Sequence, residues 1–364
     1  MEFVNPVRAF REQAGFSQQQ LGESIGVTRQ TVAAWEMGDR PPSLVNLTKI
    51  AKVLGISVDL LLPELKQSST AGEISLLFRA DQPSALTPAL RQLLTQKALD
   101  YASLEQLLDE LPALPEQRPL RSYNEHLVEE VAQDIRSWLG VSDLTPLGDV
   151  FLLLESKGLK IITYPLPEAV FGFSAYTNEL GAVIFVNSDN PTERQFHTAL
   201  HELAHLIFHR QDYKTPSEPQ GKTLKKDPKE KAADHLSGAV ALPSQILRKE
   251  LHAYRNHWIP EPVLADLKRR YGVSMRSVLY RAEQLGIISK TQMEQQIGKI
   301  TKKYGKHSEE PTLPKPSRLT RLERLTFFAL LTEQITTSRA AEILGRSLND
   351  IRSTLKQWTE DTEF

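Results

Sequence analysis

Between Val4 and Leu62 the apolar positions recur at helical spacing in short runs, each broken by glycine or proline. The runs are Val4–Ala14 before Gly15, Ser17–Ser24 before Gly26, Thr28–Met37 before Gly38, Ser43–Leu54 before Gly55, and Ser57–Leu62. Ser17, Thr28, Ser43 and Ser57 each stand where an N-cap side chain would meet an orphan backbone N–H, so the pattern predicts five short helices. From Pro63 to about Ser122 the chain is leucine-rich and interrupted by Pro83, Pro88, Pro112, Pro115 and Pro119, which predicts a helical connector. Helical period continues in Tyr123–Leu139 and Leu147–Lys157, and β-like runs follow at Leu159–Tyr164, Gly172–Tyr176 and Ala182–Val186. A helix over Pro191–Arg210 completes an α+β pattern. Gln211–Lys229, rich in proline and lysine, reads as a mobile loop. Helices return at Glu230–Val240, Pro243–Tyr254, Pro260–Tyr271 and Ser274–Leu285. A basic, proline-containing stretch, Lys299–Arg318, leads to a helical C-terminus, and no internal repeat long enough to matter is visible.

The expected architecture is therefore multidomain: an all-α N-terminal domain over 1–65, a helical connector over 66–122, an α+β domain over 123–298, and a basic linker with a helical C-terminal region over 299–364. A length of 364 residues suits two or three cores. Cysteine is absent, which excludes disulfides, thiol catalysis and Cys-based zinc fingers and leaves His, Asp and Glu to hold any transition metal. No apolar run reaches the roughly 18 residues of a membrane span, and Met1–Arg11 lacks a basic-then-apolar secretory pattern, so a cytoplasmic protein without a membrane partner is expected. The formal net charge of −1 does not announce a nucleic-acid partner, so DNA binding has to be argued from a motif.

One motif carries metal chemistry. In His201-Glu202-Leu203-Ala204-His205, inside an apolar-periodic helix, the two imidazoles sit one turn apart on one face and can hold one zinc ion, with Glu202 beside them as general base. A catalytic zinc needs a third protein ligand and an open position. Glu230 and Asp234, one turn apart on the next helix, offer that ligand and a carboxylate to accept the outer N–H of a histidine; the alternative is two solvated acids near a helix start.

These residues also carry a family likeness. Val183–Asn187, Arg194–His209, Glu230–Pro243, Leu267–Ser274 and Arg281–Ile288 together resemble the core of the ImmA/IrrE metallopeptidases, over most of Tyr123 to Pro311. The resemblance implies a gluzincin-like fold with one zinc per chain that cleaves a cognate repressor or partner protein in a stress, prophage or mobile-element switch. Ala204 stands where the family usually has Gly, and Leu236-Ser237 where it usually has Phe-Ala; both lie off the ligand set. Among the other polar and aromatic groups, His209 is expected either to face the cleft or to cap the metal helix, and His197 to pack unless it lines the site one turn before His201. His235 should face away from the site, and Tyr176 should pack in the core unless it edges the cleft.

Ser17–Gly22 with Gly26–Glu36 resembles the XRE (Cro-type) helix-turn-helix. Leu21, Ile25, Val27, Val32 and Trp35 are spaced to hold two helices together, leaving Thr28, Arg29, Gln30, Thr31 and Ala34 outward for base edges, with Gln18 toward a phosphate. The resemblance implies a double-stranded DNA operator and a homodimer on a two-fold site. Ile335–Gly345 is also helix-turn-helix-like, although a packing or dimerisation helix is the plainer reading, and Lys299, Lys302, Lys303 and Lys306 read as a solvated face.

Three functions follow: a DNA-bound regulator that cuts a repressor or similar protein, a transcription factor whose zinc domain only senses or scaffolds, and a self-cleaving repressor. An intact Glu202 favours the enzymes, because a structural zinc closes its fourth position and has no use for a base. Substrate, operator, inducing signal and oligomeric state are not written in the residues.

Overall fold

In the computed structural model the described residues are 6–39, 42–56, 58–61, 79–80, 86–110, 114–120, 122–178, 180–214 and 227–360. In chain order they form α1 (Pro6–Gln13), α2 (Gln18–Ile25), α3 (Arg29–Met37), α4 (Leu44–Leu54), a 3₁₀ turn (Val58–Leu61), β1 (Arg79–Ala80), α5 (Pro88–Leu107), α6 (Glu125–Leu139) and α7 (Val150–Ser156). The chain continues with β2 (Lys160–Tyr164), β3 (Gly172–Thr177), β4 (Gly181–Asn187), α8 (Thr192–Phe208), a 3₁₀ turn (Arg210–Lys214), α9 (Pro228–Ala241) and α10 (Ser244–Glu250). A 3₁₀ turn (His252–Tyr254), α11 (Glu261–Tyr271), α12 (Met275–Gln284), α13 (Lys290–Tyr304), α14 (Arg321–Leu331), α15 (Thr337–Leu344) and α16 (Leu348–Glu360) complete it. Among the described residues no helix is long and apolar enough to cross a membrane.

Contacts divide the chain into two units: Met1–Leu76 with Leu86–Leu111 and Arg321–Phe364, and Leu77–Ala85 with Pro112–Thr320. This cuts across the expected connector and C-terminal region. The helix α5 and the last three helices group with the N-terminal helices, and the expected boundary at 298/299 falls inside α13. The reason is burial: Leu104 of α5 is covered by Ala329 of α14 and Ile343 of α15, a contact that sequence distance hides.

In the first unit, Ser17, Thr28 and Ser43 cap α2, α3 and α4 as their positions predict; Val4 and Ser57 lie outside the described residues. Leu21, Ile25, Val32 and Trp35 are buried between α2 and α3. Gly22 is required there, since a Cβ would meet the Val27 carbonyl oxygen at 2.7 Å. Arg11 of α1 reaches Glu36 of α3 through Nε–Oε1 at 2.5 Å, a buried pair that fixes α1 across the motif.

In the second unit a four-stranded sheet has the order β1-β3-β4-β2, with β2 parallel to β4 and the other pairs antiparallel. The helix α8 lies on β3 and β4, and α9 packs against both α8 and α6. Close approach of α8 to the sheet depends on Gly172, where a Cβ would meet Thr198 Cγ2 at 2.4 Å and the Phe185 carbonyl oxygen at 2.5 Å. Arg136 of α6, fully buried, donates to the Val240 carbonyl at 2.5 Å and so closes the C-terminal turn of α9.

Several expected boundaries move. The helix over 191–210 ends at Phe208, because the His209 backbone leaves helical geometry and the chain turns into the 3₁₀ segment. The expected loop 211–229 is thus ordered at both ends, with α9 starting at Pro228 under an Asp227 cap; residues 215–226 lie outside the described residues. Pro243–Tyr254 is two short pieces rather than one helix.

Candidate metal centre and nucleic-acid interface

On α8, His201 and His205 project from one face, and Glu230 from the first turns of α9 meets them. His201 Nε2 lies 3.2 Å from Glu230 Oε2, His205 Nε2 lies 3.5 Å from the same oxygen, and the two Nε2 atoms are 3.1 Å apart. Zinc bound at about 2.0–2.1 Å in tetrahedral geometry separates its ligand atoms by about 3.3 Å, so the triangle has the size a zinc ion requires. Hydrogen-bond chemistry agrees. Asp234 Oδ1 is 2.9 Å from His201 Nδ1; a carboxylate only accepts, so Nδ1 carries a proton, and Nε2 is the ring nitrogen left to ligate an ion once it gives up its own proton. The donor set therefore fits zinc, with Asp234 orienting one ring.

The same convergence shifts ionisation. Burial opposes a charged His201, yet its hydrogen bonds to Asp234 and Glu230 override that and hold its pKa well above the ordinary value. Burial likewise pushes the Glu230 carboxyl up, and the hydrogen bonds from His201 and His205 outweigh it and hold Glu230 well below the ordinary carboxylate range. Without a metal these groups share protons, and the negative Glu230 between two imidazoles makes a pocket that favours a cation.

Glu202, one residue beyond His201, is buried on α8. Its Oε2 accepts a hydrogen bond from Ser174 Oγ of β3 at 2.5 Å, and Tyr213 of the 3₁₀ turn in turn lies 2.7 Å from the same Ser174 hydroxyl. Neither Ser174 nor Tyr213 was picked out from sequence. Ser174 was discernible as the lone polar residue in the run Gly172–Tyr176, whereas Tyr213 sat in a segment that composition marks as loop.

The remaining candidates separate. His209 takes the C-cap position of α8 and is buried, with its Nδ1 3.0 Å from His205 Nδ1, so it backs a ring of the cluster. His197, expected to pack, lies with Nε2 3.7 Å from Asp234 Oδ1 and Nδ1 2.8 Å from Ser237 Oγ, forming a second grouping with His201 and Asp234. Tyr176 is half-buried and its hydroxyl faces Asn178 at 3.4 Å, with the Arg210 guanidinium 5.4 Å from its ring; the structure does not bring it to the imidazoles. His235 faces away, bonded to Glu129 Oε1 at 2.6 Å and to the Tyr123 hydroxyl at 2.9 Å. Arg281 grips both Glu129 oxygens at 2.5 and 2.8 Å. Burial would raise the Glu129 carboxyl, but His235 and Arg281 bring it down to about 2. This buried clamp ties α9 to α6 and α12 and so fixes where Glu230 points.

In the first unit, Gln18, Thr28, Arg29 and Gln30 line one open groove with Gln19 and Ala33. Thr28, Arg29 and Gln30 are exposed, while Thr31 and Ala34 are half-buried, with Thr31 Oγ1 2.9 Å from Thr28 Oγ1. Gln18 Nε2 donates to Glu36 Oε2 at 2.8 Å, a tie that also draws in Arg11.

Comparison with known proteins gives two family matches, one described as Helix-turn-helix over residues 7–61 and one as IrrE N-terminal-like domain over residues 154–283. The latter span contains His201, Glu202, His205, Glu230 and Asp234. The uncharacterized HTH-type transcriptional regulator YgzD of Bacillus subtilis (strain 168) is 49% identical over 55 residues, 15% of this chain and 83% of the relative. An uncharacterized HTH-type transcriptional regulator of Methanothermobacter thermautotrophicus is 45% identical over 49 residues, 14% of this chain and 71% of the relative. Among solved structures, a Mycobacterium tuberculosis transcriptional regulator aligns with a TM-score of 0.32 and 16% identity over 50% of this chain, which spans about half (51%) of that one.

Proposed function

Because this chain belongs to the XRE-type helix-turn-helix regulators and carries an IrrE N-terminal-like domain, we propose that it is a DNA-binding regulator whose second unit is a zinc endopeptidase acting on a partner protein such as a repressor. The observation that carries the reading is the triangle of His201 Nε2, His205 Nε2 and Glu230 Oε2, with edges of 3.1, 3.2 and 3.5 Å and a buried Glu202 on the same helix.

His201, His205 and Glu230 would hold the ion, and zinc bound there supplies Lewis acidity that polarises a peptide carbonyl and acidifies water at neutral pH. Glu202 is the general base: it takes a proton as water attacks the scissile carbonyl and returns it to the leaving amine. Ser174 holds the Glu202 carboxylate from the sheet side and Tyr213 holds Ser174, so the base is fixed before substrate arrives. Asp234 keeps the His201 ring in the tautomer that offers Nε2 inward. At the N-terminus, Arg29 and Gln30 reach base edges in the major groove, flanked by Thr28, Thr31 and Ala34, and Gln18 turns from Glu36 to a phosphate on binding; a homodimer on a two-fold operator is the expected assembly.

The test is proteolysis of neighbouring-gene products and of the chain itself by wild-type protein and Glu202→Gln. Cleavage by wild type alone supports the endopeptidase. Cleavage that survives the substitution removes Glu202 from its role, and DNA binding with bound zinc but no cleavage of anything favours a sensor. Separately, Arg29→Ala and Gln30→Ala abolish sequence preference with zinc content unchanged; unaltered footprints defeat the recognition assignment.

A further inference from the structure

The last helices repeat the local geometry of the N-terminal motif. The helix α15, like α2, has 8 residues. Thr336 caps it by accepting from Arg339 N, as Ser17 accepts from Gln20 N. It ends on Gly345 at φ 64° and ψ 31°, as α2 ends on Gly26 at φ 77° and ψ 37°. The turn is closed by Arg346 N to Ala341 O at 3.0 Å, the counterpart of Val27 N to Gly22 O at 2.8 Å. Ser347 then caps α16, with Asp350 N donating to its Oγ at 3.1 Å, where Thr28 caps α3. Ala340 and Ile351 are fully buried at the positions of Leu21 and Val32. The side chains differ too much to show as a sequence repeat, and Ala341 stands where the first motif has Gly22.

The packing expected of Ile335–Gly345 is provided by α15 itself, and it is α16, beyond that segment, that is left over. Their core joins Phe327 of α14 to Ala340, Ala341 and Ile351, and the Phe327 ring lies 4.6 Å from that of Trp358. The attachment to α5 is made by α14 and α15, through Ala329, Ile343 and the pair of Arg339 with Asp100 at 2.6 Å. The first turns of α16 are left outside: Leu348, Asn349, Arg352, Ser353 and Lys356 are exposed. Leu348 is the one large apolar side chain among them, too little for an interface between copies, whose centre is apolar. Asp350 is held back over the helix N-terminus, its carboxylate accepting from Ser347 N and Oγ at 3.2 and 2.7 Å.

We propose that α15 and α16 form a second helix-turn-helix that reads duplex DNA, with α16 in the major groove. Asn349 and Arg352 are the base readers, since an Asn amide matches adenine and a guanidinium matches guanine; Leu348 suits a thymine methyl and Lys356 a phosphate. The ligand class rests on the DNA-binding reading of the N-terminal motif, and one chain then recognises two elements of sequence.

The test selects bound sequences from a pool of randomised duplexes several helical turns long, using full-length wild type, Arg29→Ala/Gln30→Ala and Asn349→Ala/Arg352→Ala. All four substituted positions are exposed, and circular dichroism checks that each fold is retained. Wild type should enrich two motifs, each double variant losing a different one. Asn349→Ala/Arg352→Ala should weaken binding to the wild-type-selected duplex about 10- to 100-fold, and Lys356→Ala should reduce the salt slope by about 1. Retention of every enriched motif and of affinity in Asn349→Ala/Arg352→Ala overturns the proposal, and so does a change only in sedimentation mass, which would make α16 a contact between copies. Loss of all preference in Arg29→Ala/Gln30→Ala overturns it while sparing the N-terminal motif. Loss confined to Asn349→Ala/Arg352→Ala upholds it and sinks the N-terminal assignment instead.

Discussion

Replacing Glu129 with Gln removes the carboxylate that, among the described residues, faces both Arg281 and His235, while keeping the side chain's shape. Arg281 and His235 are almost fully buried, and the Glu129 side chain is 28% exposed, so solvent screens the cluster little. The Glu129 pKa falls from the ordinary 4.5 to about 2 in the folded protein. At about 1.4 kcal/mol per unit this contributes about 3 kcal/mol at neutral pH. Because the folded pKa is depressed, the contribution is complete above about 4.5 and is lost as pH falls from there through about 2. In a unit of this size 1 kcal/mol moves the melting temperature by about 2–4 °C, so Glu129→Gln should melt about 6–12 °C lower at pH 7. The assay is thermal unfolding by circular dichroism across pH 2–7, with chelator present to remove metal linkage. The gap between wild type and variant should close toward the acid end. A gap that stays constant across the series refutes the assignment of this stability to the Glu129 carboxylate.

Other outcomes follow from the same geometry. Purified protein should carry one zinc per chain, Glu230→Gln or His201→Ala should abolish it, and zinc at about 100 times its dissociation constant should stabilise wild type by about 2.7 kcal/mol, read as a rise in melting temperature that neither variant shows. Ser174→Ala, which takes the hydroxyl from Glu202 but leaves the ligands alone, should lower kcat about 10- to 100-fold with zinc content unchanged; equal loss of zinc would mean that it acts on the ligands. Gly172→Ala should lower stability by about 1–3 kcal/mol in urea unfolding, because the Phe185 carbonyl 2.5 Å from the new methyl belongs to a paired strand and cannot move away; unchanged stability would show that α8 has room to shift.

Much of this arrangement was legible in the residues because its causes are local. Ser17, Thr28 and Ser43 announce helix starts by offering an oxygen three residues ahead of a backbone donor, and a Gly after each helix marks the left-handed exit. The interval from His201 to His205 puts both rings on one face, whatever the rest of the chain does. Tyr176 could not be placed this way: a residue in a strand run can look toward a cleft or along the sheet rim, and only the neighbouring Asn178 and Arg210 decide. Ser174 and Tyr213 were missed for the same reason. Their partners lie 28 and 39 positions away in sequence, and no period connects them.

Residue spacing alone thus determined the helix-turn-helix, the paired imidazoles on α8 and the helix-strand-helix order around them, since each depends on contacts within a few turns of chain. Tertiary structure decided how near Glu230 comes to those imidazoles, which hydroxyl holds Glu202, that α5 and the last three helices join the N-terminal unit, and that α15 and α16 leave a polar helix face uncovered. The physical reason is that distances between segments are set by what each buries against the other. Gly172 under α8, Arg136 at the end of α9 and Leu104 under Ile343 acquire their meaning only when distant parts of the chain meet.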